Sequence, residues 1–301
     1  MYFIMKSGFA AVIGRPNVGK STLLNQILEQ KIVIATNKAQ TTRKRIKGIY
    51  TTQDCQIVFI DTPGIHKPLN KLGDFLLEEA KISVPDADIV LFLVDVSTPA
   101  GKGDEWIVKN ILQNLKIPVI TVLNKTDIAS PKKIDKNILS YETLYPNSTA
   151  TVRISARTGK NKTKLIELIK NHMPEGGLLY PEDMVTEENM RSVTEEIIRE
   201  KILLNTSDEI PHSVAVKIHE YKEEPEIDKI NAVIYCETKS QKGILIGKNG
   251  SLLKIVGTAA RMDLEKITGK KVFLGLHVKV EKDWRKNDRT LKHFGYAAED
   301  K

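Results

Sequence analysis

The stretch Phe9-Ala10-Ala11-Val12-Ile13-Gly14-Arg15-Pro16-Asn17-Val18-Gly19-Lys20-Ser21 decides the fold. Its apolar first half reads as a buried strand, and Thr22-Leu23-Leu24-Asn25-Gln26-Ile27-Leu28 behind it reads as a helix. Between them stands G-x-x-x-x-G-K-[ST], a loop that cradles phosphates when strand and helix flank it in this order. Gly14 and Gly19 let the backbone turn tightly, so that consecutive N–H groups point at phosphate oxygens. The positive end of the following helix adds to that attraction. Lys20 can reach the β- and γ-phosphates, and the Ser21 hydroxyl is placed to ligate Mg²⁺. The alternative is a glycine-rich turn that binds nothing, and the motifs downstream weigh against it.

Downstream, Thr41 or Thr42 in the basic loop Lys38–Arg45 stands where a second hydroxyl would complete a Mg²⁺ shell, and Thr42 enters the candidate metal set with Ser21 and Asp61. Strand Gln56–Ile60 ends in Asp61-Thr62-Pro63-Gly64. Asp61 can hold Mg²⁺ directly or through water, and the Gly64 N–H can bond a γ-phosphate and lose it after hydrolysis. Ile65 follows where a glutamine would orient the attacking water, which an isoleucine cannot do. Hydrolysis is therefore expected to be slow without a partner.

The buried strand Ile117–Leu123 delivers Asn124-Lys125-Thr126-Asp127. Asp127 can accept the N1–H and N2–H₂ pair that guanine offers and adenine lacks. The Lys125 stem can lie against the base, and Asn124 can tie this loop to the phosphate loop. A last strand, Thr151–Ile154, ends in Ser155-Ala156, where a backbone N–H can reach guanine O6. Each motif sits at the carboxyl end of a predicted strand, where open α/β sheets bind ligands. Residues 1–172 therefore read as a guanine-nucleotide domain. Gly14 to Thr22, Asp61 to Gly64, Asn124, Lys125, Asp127, Ser155 and Ala156 are its candidate contacts; Asn17, Lys20, Thr42 and Gly64 are the candidate catalytic groups.

Residues 173–181, rich in Pro and Gly, read as a linker. Over 182–301 the order is helix, two strands, helix, Gly247-Lys248-Asn249-Gly250, helix, strand. That order matches a KH domain, whose G-x-x-G loop clamps a nucleic-acid backbone. Gly247, Lys248, Asn249 and Gly250 are the candidate clamp. Ile244, Leu245 and Ile246 are candidates for an apolar floor, with Lys254 and Arg285 as further RNA contacts. Trp284 is expected to pack within the domain. The alternative for the glycine pair is a helix corner with a solvated lysine.

A chain of 301 residues suits two domains, and 41% apolar with 28% charged residues describes an ordinary soluble protein. No apolar run is long enough to cross a bilayer. Cys55 and Cys236 lack metal-ligand spacing and read as buried thiols in a reducing compartment. Residues 1–175 hold 25 basic against 16 acidic residues, 176–238 hold 6 against 15, and 239–292 hold 14 against 5. Such polarity makes the basic side a candidate surface for nucleic acid or anionic membrane, against the plainer reading of a solvated charged surface.

Taken together, G-R-P-N-V-G-K-S at 14–21, K-A-Q-T-T-R at 38–43, D-T-P-G-I-H at 61–66, N-K-x-D at 124–127, P-H-S-V-A-V at 211–216, I-G-K-N-G at 246–250 and V-K-V-x-x-D-W-R at 278–285 resemble the Era GTPases. The resemblance covers essentially the whole chain. It implies an α/β P-loop GTPase domain, with a mostly parallel sheet flanked by helices, followed by an α+β type II KH domain. It also implies GTP and GDP binding with Mg²⁺, and binding of 16S rRNA near its 3′ end during 30S subunit assembly. A cytoplasmic monomer is implied, with loose peripheral membrane association in some members. Ile65 agrees with the hydrophobic-substituted class to which that family belongs. His277 departs from it, since many members carry a larger aromatic residue there. Asn17 makes K⁺ a further candidate cofactor, because related GTPases with this asparagine hold K⁺ beside the phosphates; Asn17 could equally only brace the loop.

Overall fold

The computed structural model describes residues 5–36, 38, 41–65 and 70–296. Parts of the two basic and glycine-bearing loops named above, residues 37, 39, 40 and 66–69, lie outside the described set. The chain divides into two units. The first comprises 1–35, 42–68 and 76–187; the second comprises 36–41, 69–75 and 188–301.

The first unit holds β1 (Lys6–Ile13), α1 (Lys20–Leu28), β2 (Ile46–Thr51), β3 (Cys55–Asp61), most of α2 (Lys71–Ile82), β4 (Ile89–Asp95), α3 (Lys102–Ile107), β5 (Val119–Asn124), α4 (Pro131–Leu144), β6 (Ala150–Arg153) and α5 (Lys162–Asn171). A π-helical turn, Val108–Leu112, extends α3. Among the described residues the sheet runs β2-β3-β1-β4-β5-β6, with the edge pair β2–β3 antiparallel and the other pairs parallel. Parallel strands must be covered on both faces, which is why they read as unbroken apolar runs. Alternate residues then serve different layers. Ala10, Val12, Leu91 and Leu93 join α1 and α5 in one core cluster. Ala11, Ile13, Phe92 and Val94 face the opposite way, in a second cluster with residues of α3 and α4.

The boundary falls at Glu187/Glu188, later than the expected 181/182. Residues 175–187 are stitched onto the first unit by backbone bonds that composition does not reveal. Gly176 N–H donates to the Met5 carbonyl, Ile49 N–H donates to the Val185 carbonyl, and Thr186 bridges to Gly48 on β2. The buried Gln56 side chain accepts from Leu179 N–H (2.7 Å) and Tyr180 N–H (2.9 Å) and donates to the Tyr180 carbonyl (3.0 Å).

The second unit contains α6 (Met190–Asn205), α7 (Ile210–Ser213), β7 (Ala215–Glu223), β8 (Ile227–Cys236), α8 (Lys239–Ile246), α9 (Ser251–Thr268), β9 (Lys271–Val280) and α10 (Asp288–His293). β7 and β8 form an antiparallel hairpin, and β9 pairs parallel to β8. A parallel neighbour needs a crossover, and α8, the glycine loop and α9 supply it. Ile198, Ile202, Ile230, Ile234, Val256 and Leu264 lie at the centre of its core. Trp284 is fully buried, donates Nε1–H to the Ser213 carbonyl (2.8 Å) and meets Phe294 edge-on at 5.3 Å, so it packs within the domain as expected. His277 lies exposed on β9. Both cysteines are buried free thiols.

Candidate functional site

At the carboxyl end of β1 the chain turns at Gly14, where a Cβ would lie 2.3 Å from the Leu93 carbonyl oxygen. Gly19 has φ +104°, and its Cβ would lie 2.4 Å from Asn124 Nδ2. Both positions therefore exclude any side chain. The loop wraps the Lys20 ammonium, which donates to the carbonyls of Gly14 (3.3 Å) and Arg15 (3.1 Å). Burial pushes the Lys20 pKa down to about 8, with the nearby Asp61 opposing the shift. A polyphosphate here would satisfy the charge that burial penalises.

Ser21, Thr42 and Asp61 converge although they come from a helix, a loop and a strand end. Ser21 Oγ donates to Asp61 Oδ2 (2.9 Å), lies 2.9 Å from Thr42 Oγ1, and Thr42 Oγ1 donates to the same carboxylate oxygen (3.1 Å). The other oxygen, Asp61 Oδ1, is buried without a hydrogen-bond partner among the described residues. Burial raises the Asp61 pKa against the pull of Lys20 and the two hydroxyls. An all-oxygen set with one orphaned carboxylate oxygen fits Mg²⁺, which prefers such ligands and keeps several waters.

Gly64 packs against Pro16, where a Cβ would come within 2.7 Å of the Pro16 Cα. Ile65 N–H donates to the Gly14 carbonyl, and its side chain is buried in the core, pointing away from any water-orienting role. The Thr62 hydroxyl is tied to the Val12 carbonyl (2.8 Å), so its side chain braces β1.

On the base side, Asn124 Nδ2 donates to the Val18 carbonyl (2.8 Å), and its oxygen accepts from Ala156 N–H (2.9 Å). An O6 contact by that N–H therefore competes with an existing bond. Lys125, at φ +66°, pairs with Asp95 (2.6 Å). Burial would raise the Asp127 carboxyl, yet the Ser155 hydroxyl and Arg157 hold it below the usual range. Arg157 pairs with Asp127 at 2.6 Å and was not among the expected contacts; the basic residue after Ser155-Ala156 was its only signal.

In the second unit, α8 stops at Gly247 (φ +74°), where a Cβ would lie 2.8 Å from Leu252 N. Gly250 (φ +77°) starts α9 and faces open space. Lys248 and Asn249 stand exposed between them. A groove of about 390 Å³ runs from this loop between α9 and β9, lined by Gly250, Leu253, Gly257, Leu274 and Leu276 and rimmed by Lys254 and Arg261. Phe273 at its edge is 57% exposed.

That floor differs from the expected one. Leu245 is 2% exposed within the domain core, Ile246 packs on the same core, and Ile244 points outward. The periodicity of α8 turns Leu245 and Ile246 inward, so α9 and β9 supply the groove. Arg285 donates its Nε–H to Glu237 (3.1 Å) and is committed to that ion pair.

Known proteins match this arrangement. A model described as "50S ribosome-binding GTPase" matches residues 9–125, and a KH domain model matches 209–285. GTPase Era of Staphylococcus haemolyticus is 47% identical over 97% of both chains. The chain belongs to the Era GTPase family. Era of Caldanaerobacter subterraneus subsp. tengcongensis is 48% identical over 97% of this chain and 98% of its own. A crystal structure of an Aquifex aeolicus Era variant bound to GDP·AlF4⁻ superposes with a TM-score of 0.94 at 42% identity, covering 97% of this chain and all of that one. Era in complex with MgGDPNP and nucleotides 1506–1542 of 16S ribosomal RNA gives the same TM-score and identity, covering 97% and 99%.

As an Era-family member the protein is a GTPase that binds GTP and GDP with Mg²⁺, on a P-loop GTPase fold followed by a KH domain. No helix among the described residues is long and apolar enough to cross a membrane.

Proposed function

We propose that the protein is a guanine-nucleotide switch that grips the single-stranded 3′ end of 16S rRNA and acts in assembly of the 30S subunit. The observation that carries this is the second unit's groove. Its glycine ends, apolar floor and basic rim suit a strand whose bases are splayed out of stacking. The RNA-bound Era relative supplies the identity of the strand.

In the reading proposed, the Lys20 ammonium and the loop N–H groups neutralise charge on the phosphates. Ser21, Thr42 and Asp61 would hold Mg²⁺, which when bound offsets charge on the β- and γ-phosphates. Gly64 N–H would report the γ-phosphate. Ile65 offers nothing to position water, so basal turnover is slow.

Nucleotide state reaches RNA affinity only if RNA contacts the two states differently, and the coupling must be reciprocal. One feature supports such coupling. Thr41 groups with the second unit, where the fully buried Arg199 of α6 donates to its carbonyl. Thr42, one peptide bond later, bonds Asp61. A shift of Thr42 on loss of the γ-phosphate is thereby handed directly to Thr41.

The test is filter binding of a 16S 3′-terminal oligonucleotide with GDP, with a non-hydrolysable GTP analogue and without nucleotide. Retention is expected to be highest with the analogue and to collapse when Lys248 and Asn249 are both replaced by Asp. Equal retention in all three states would refute the switch. Retention unaffected by the double replacement would refute the groove.

A further inference from the structure

The phosphate loop and the guanine loop are joined a second time, by a route whose middle members, Asp104, Tyr141 and Asp95, lie outside the nucleotide motifs. Arg15 leaves the phosphate loop and donates Nε–H to Asp104 Oδ1 on α3 (2.8 Å). Asp104 is fully buried, and its other oxygen accepts from Gly101 N–H (3.0 Å). The Arg15 fork also donates to the Tyr141 hydroxyl on α4 (3.4 Å), and that hydroxyl donates to the Asp95 carbonyl at the end of β4 (3.0 Å). The Asp95 carboxylate in turn holds Lys125 of the guanine loop at 2.6 Å.

Asn124 closes the ring by bonding the Val18 carbonyl. The path thus runs from phosphate loop to Tyr141, to Asp95, to the guanine loop and back. Every position in it is constrained. A Cβ on Gly103 would lie 2.6 Å from Arg15 Cδ, so any larger residue there would push the arginine side chain out of its present path. Tyr141 is 1% exposed, and Asn137, one turn earlier, bonds the Val96 carbonyl (2.9 Å), so α4 presents a polar seam to the loop after β4. Burial and the neighbouring Asp104 push the Tyr141 pKa up to about 12, which keeps its hydroxyl a donor throughout the working range.

We propose that Tyr141 is a positioning residue for guanine nucleotide, its hydroxyl locking the phosphate loop to the guanine loop so that the site reads phosphates and base as one ligand. A phenol at this junction is worth more than packing. It fixes Asp95, and Asp95 fixes where the Lys125 stem lies over the base plane. Loosening the hydroxyl therefore costs base discrimination as well as affinity, and a purely structural tyrosine would cost neither selectively.

The test is a double-mutant cycle on the full-length protein, combining Tyr141→Phe with Lys125→Ala and reading release of fluorescent GDP and of its inosine counterpart. Independent sites add, whereas members of one network do not. Tyr141→Phe is expected to speed GDP release about tenfold, as loss of a hydrogen bond to a charged group does, and to lower the GDP-over-IDP preference at least about threefold. In the Lys125→Ala background the effect of Tyr141→Phe shrinks below about threefold. Tyr145→Phe, on the same helix end, changes none of these. Should Tyr141→Phe fail to fold, Arg15→Lys cuts the same route without touching the ring and is read by the same cycle. Additive effects with an unchanged GDP:IDP ratio would overturn the proposal and leave Tyr141 a packing residue.

Discussion

The Asn124 carboxamide stands between two loops that lie 106 residues before it and 32 after it in the chain, its nitrogen 2.8 Å from the Val18 carbonyl and its oxygen 2.9 Å from Ala156 N–H. Replacing Asn124 by Ala leaves one buried acceptor and one buried donor without partners. Each orphan costs ~1–3 kcal/mol. GDP affinity should fall by roughly two orders of magnitude, with catalysis at saturating GTP changed much less. Titration with fluorescent GDP alongside single-turnover hydrolysis checks both halves of that expectation.

Lys20 makes nucleotide binding pH-dependent in a definite direction. Its pKa in the protein lies near 8, below the ordinary 10.5, and phosphate charge raises it on binding. At pH 6.5 Lys20 is protonated before and after, and it contributes no proton uptake. Near pH 9 it binds a proton with the nucleotide, and affinity drops up to about tenfold per pH unit above 8. The unfolded chain binds this proton more tightly than the folded one, so the contribution to stability rises with pH between about 8 and 10.5. Calorimetry in buffers of different ionisation enthalpy would show the uptake; equal proton counts at both pH values would contradict it.

Lys254 and Arg261 rim the groove, whereas Arg285 is held by Glu237. Each phosphate contact on a single strand contributes about 0.7 to the slope of log affinity against log salt. Lys254→Ala and Arg261→Ala should each flatten that slope by about this amount. Arg285→Ala should leave it unchanged and instead lower the melting temperature of the second unit. A salt series with a 16S 3′-terminal oligonucleotide distinguishes the three.

Asn17 holds a left-handed conformation (φ +64°) at the turn of the phosphate loop. If it presents its carboxamide oxygen to a monovalent cation beside the phosphates, hydrolysis runs faster in K⁺ than in Na⁺, and Asn17→Ala abolishes the difference. Equal rates in the two salts would reduce Asn17 to a brace for the loop.

Lys20, Asp61 and Asn124 were legible because each sits at or soon after the end of a buried strand, and a buried strand announces itself as a run such as Ile89–Val94. Gly247 was legible differently, as the first glycine of a pair between two helices. What stayed hidden depends on distance along the chain. Arg15 meets Asp104 across 89 residues, and nothing in either neighbourhood advertises the other. The groove is similar, since Leu253 and Leu276 belong to different elements and only the parallel pairing of β9 brings them together. Helix α4 had the pattern in view, with Ile134, Ile138 and Tyr141 buried on one face, but its lysine-rich start gave no hint that Tyr141 ends in a polar junction. Residues 175–187 misled for another reason. Backbone hydrogen bonds hold them, and backbone bonds leave no mark on composition.

The three bonds from Gln56 to the backbone at 179 and 180, and the pairing of 185 and 186 with β2, bear on anyone who would splice this protein. A chimaera cut at Pro181 would strip the covering from the outermost strand and expose a bare edge to self-association. The seam for exchanging cargo modules lies after Glu187, where the nucleotide-binding half keeps its own hem.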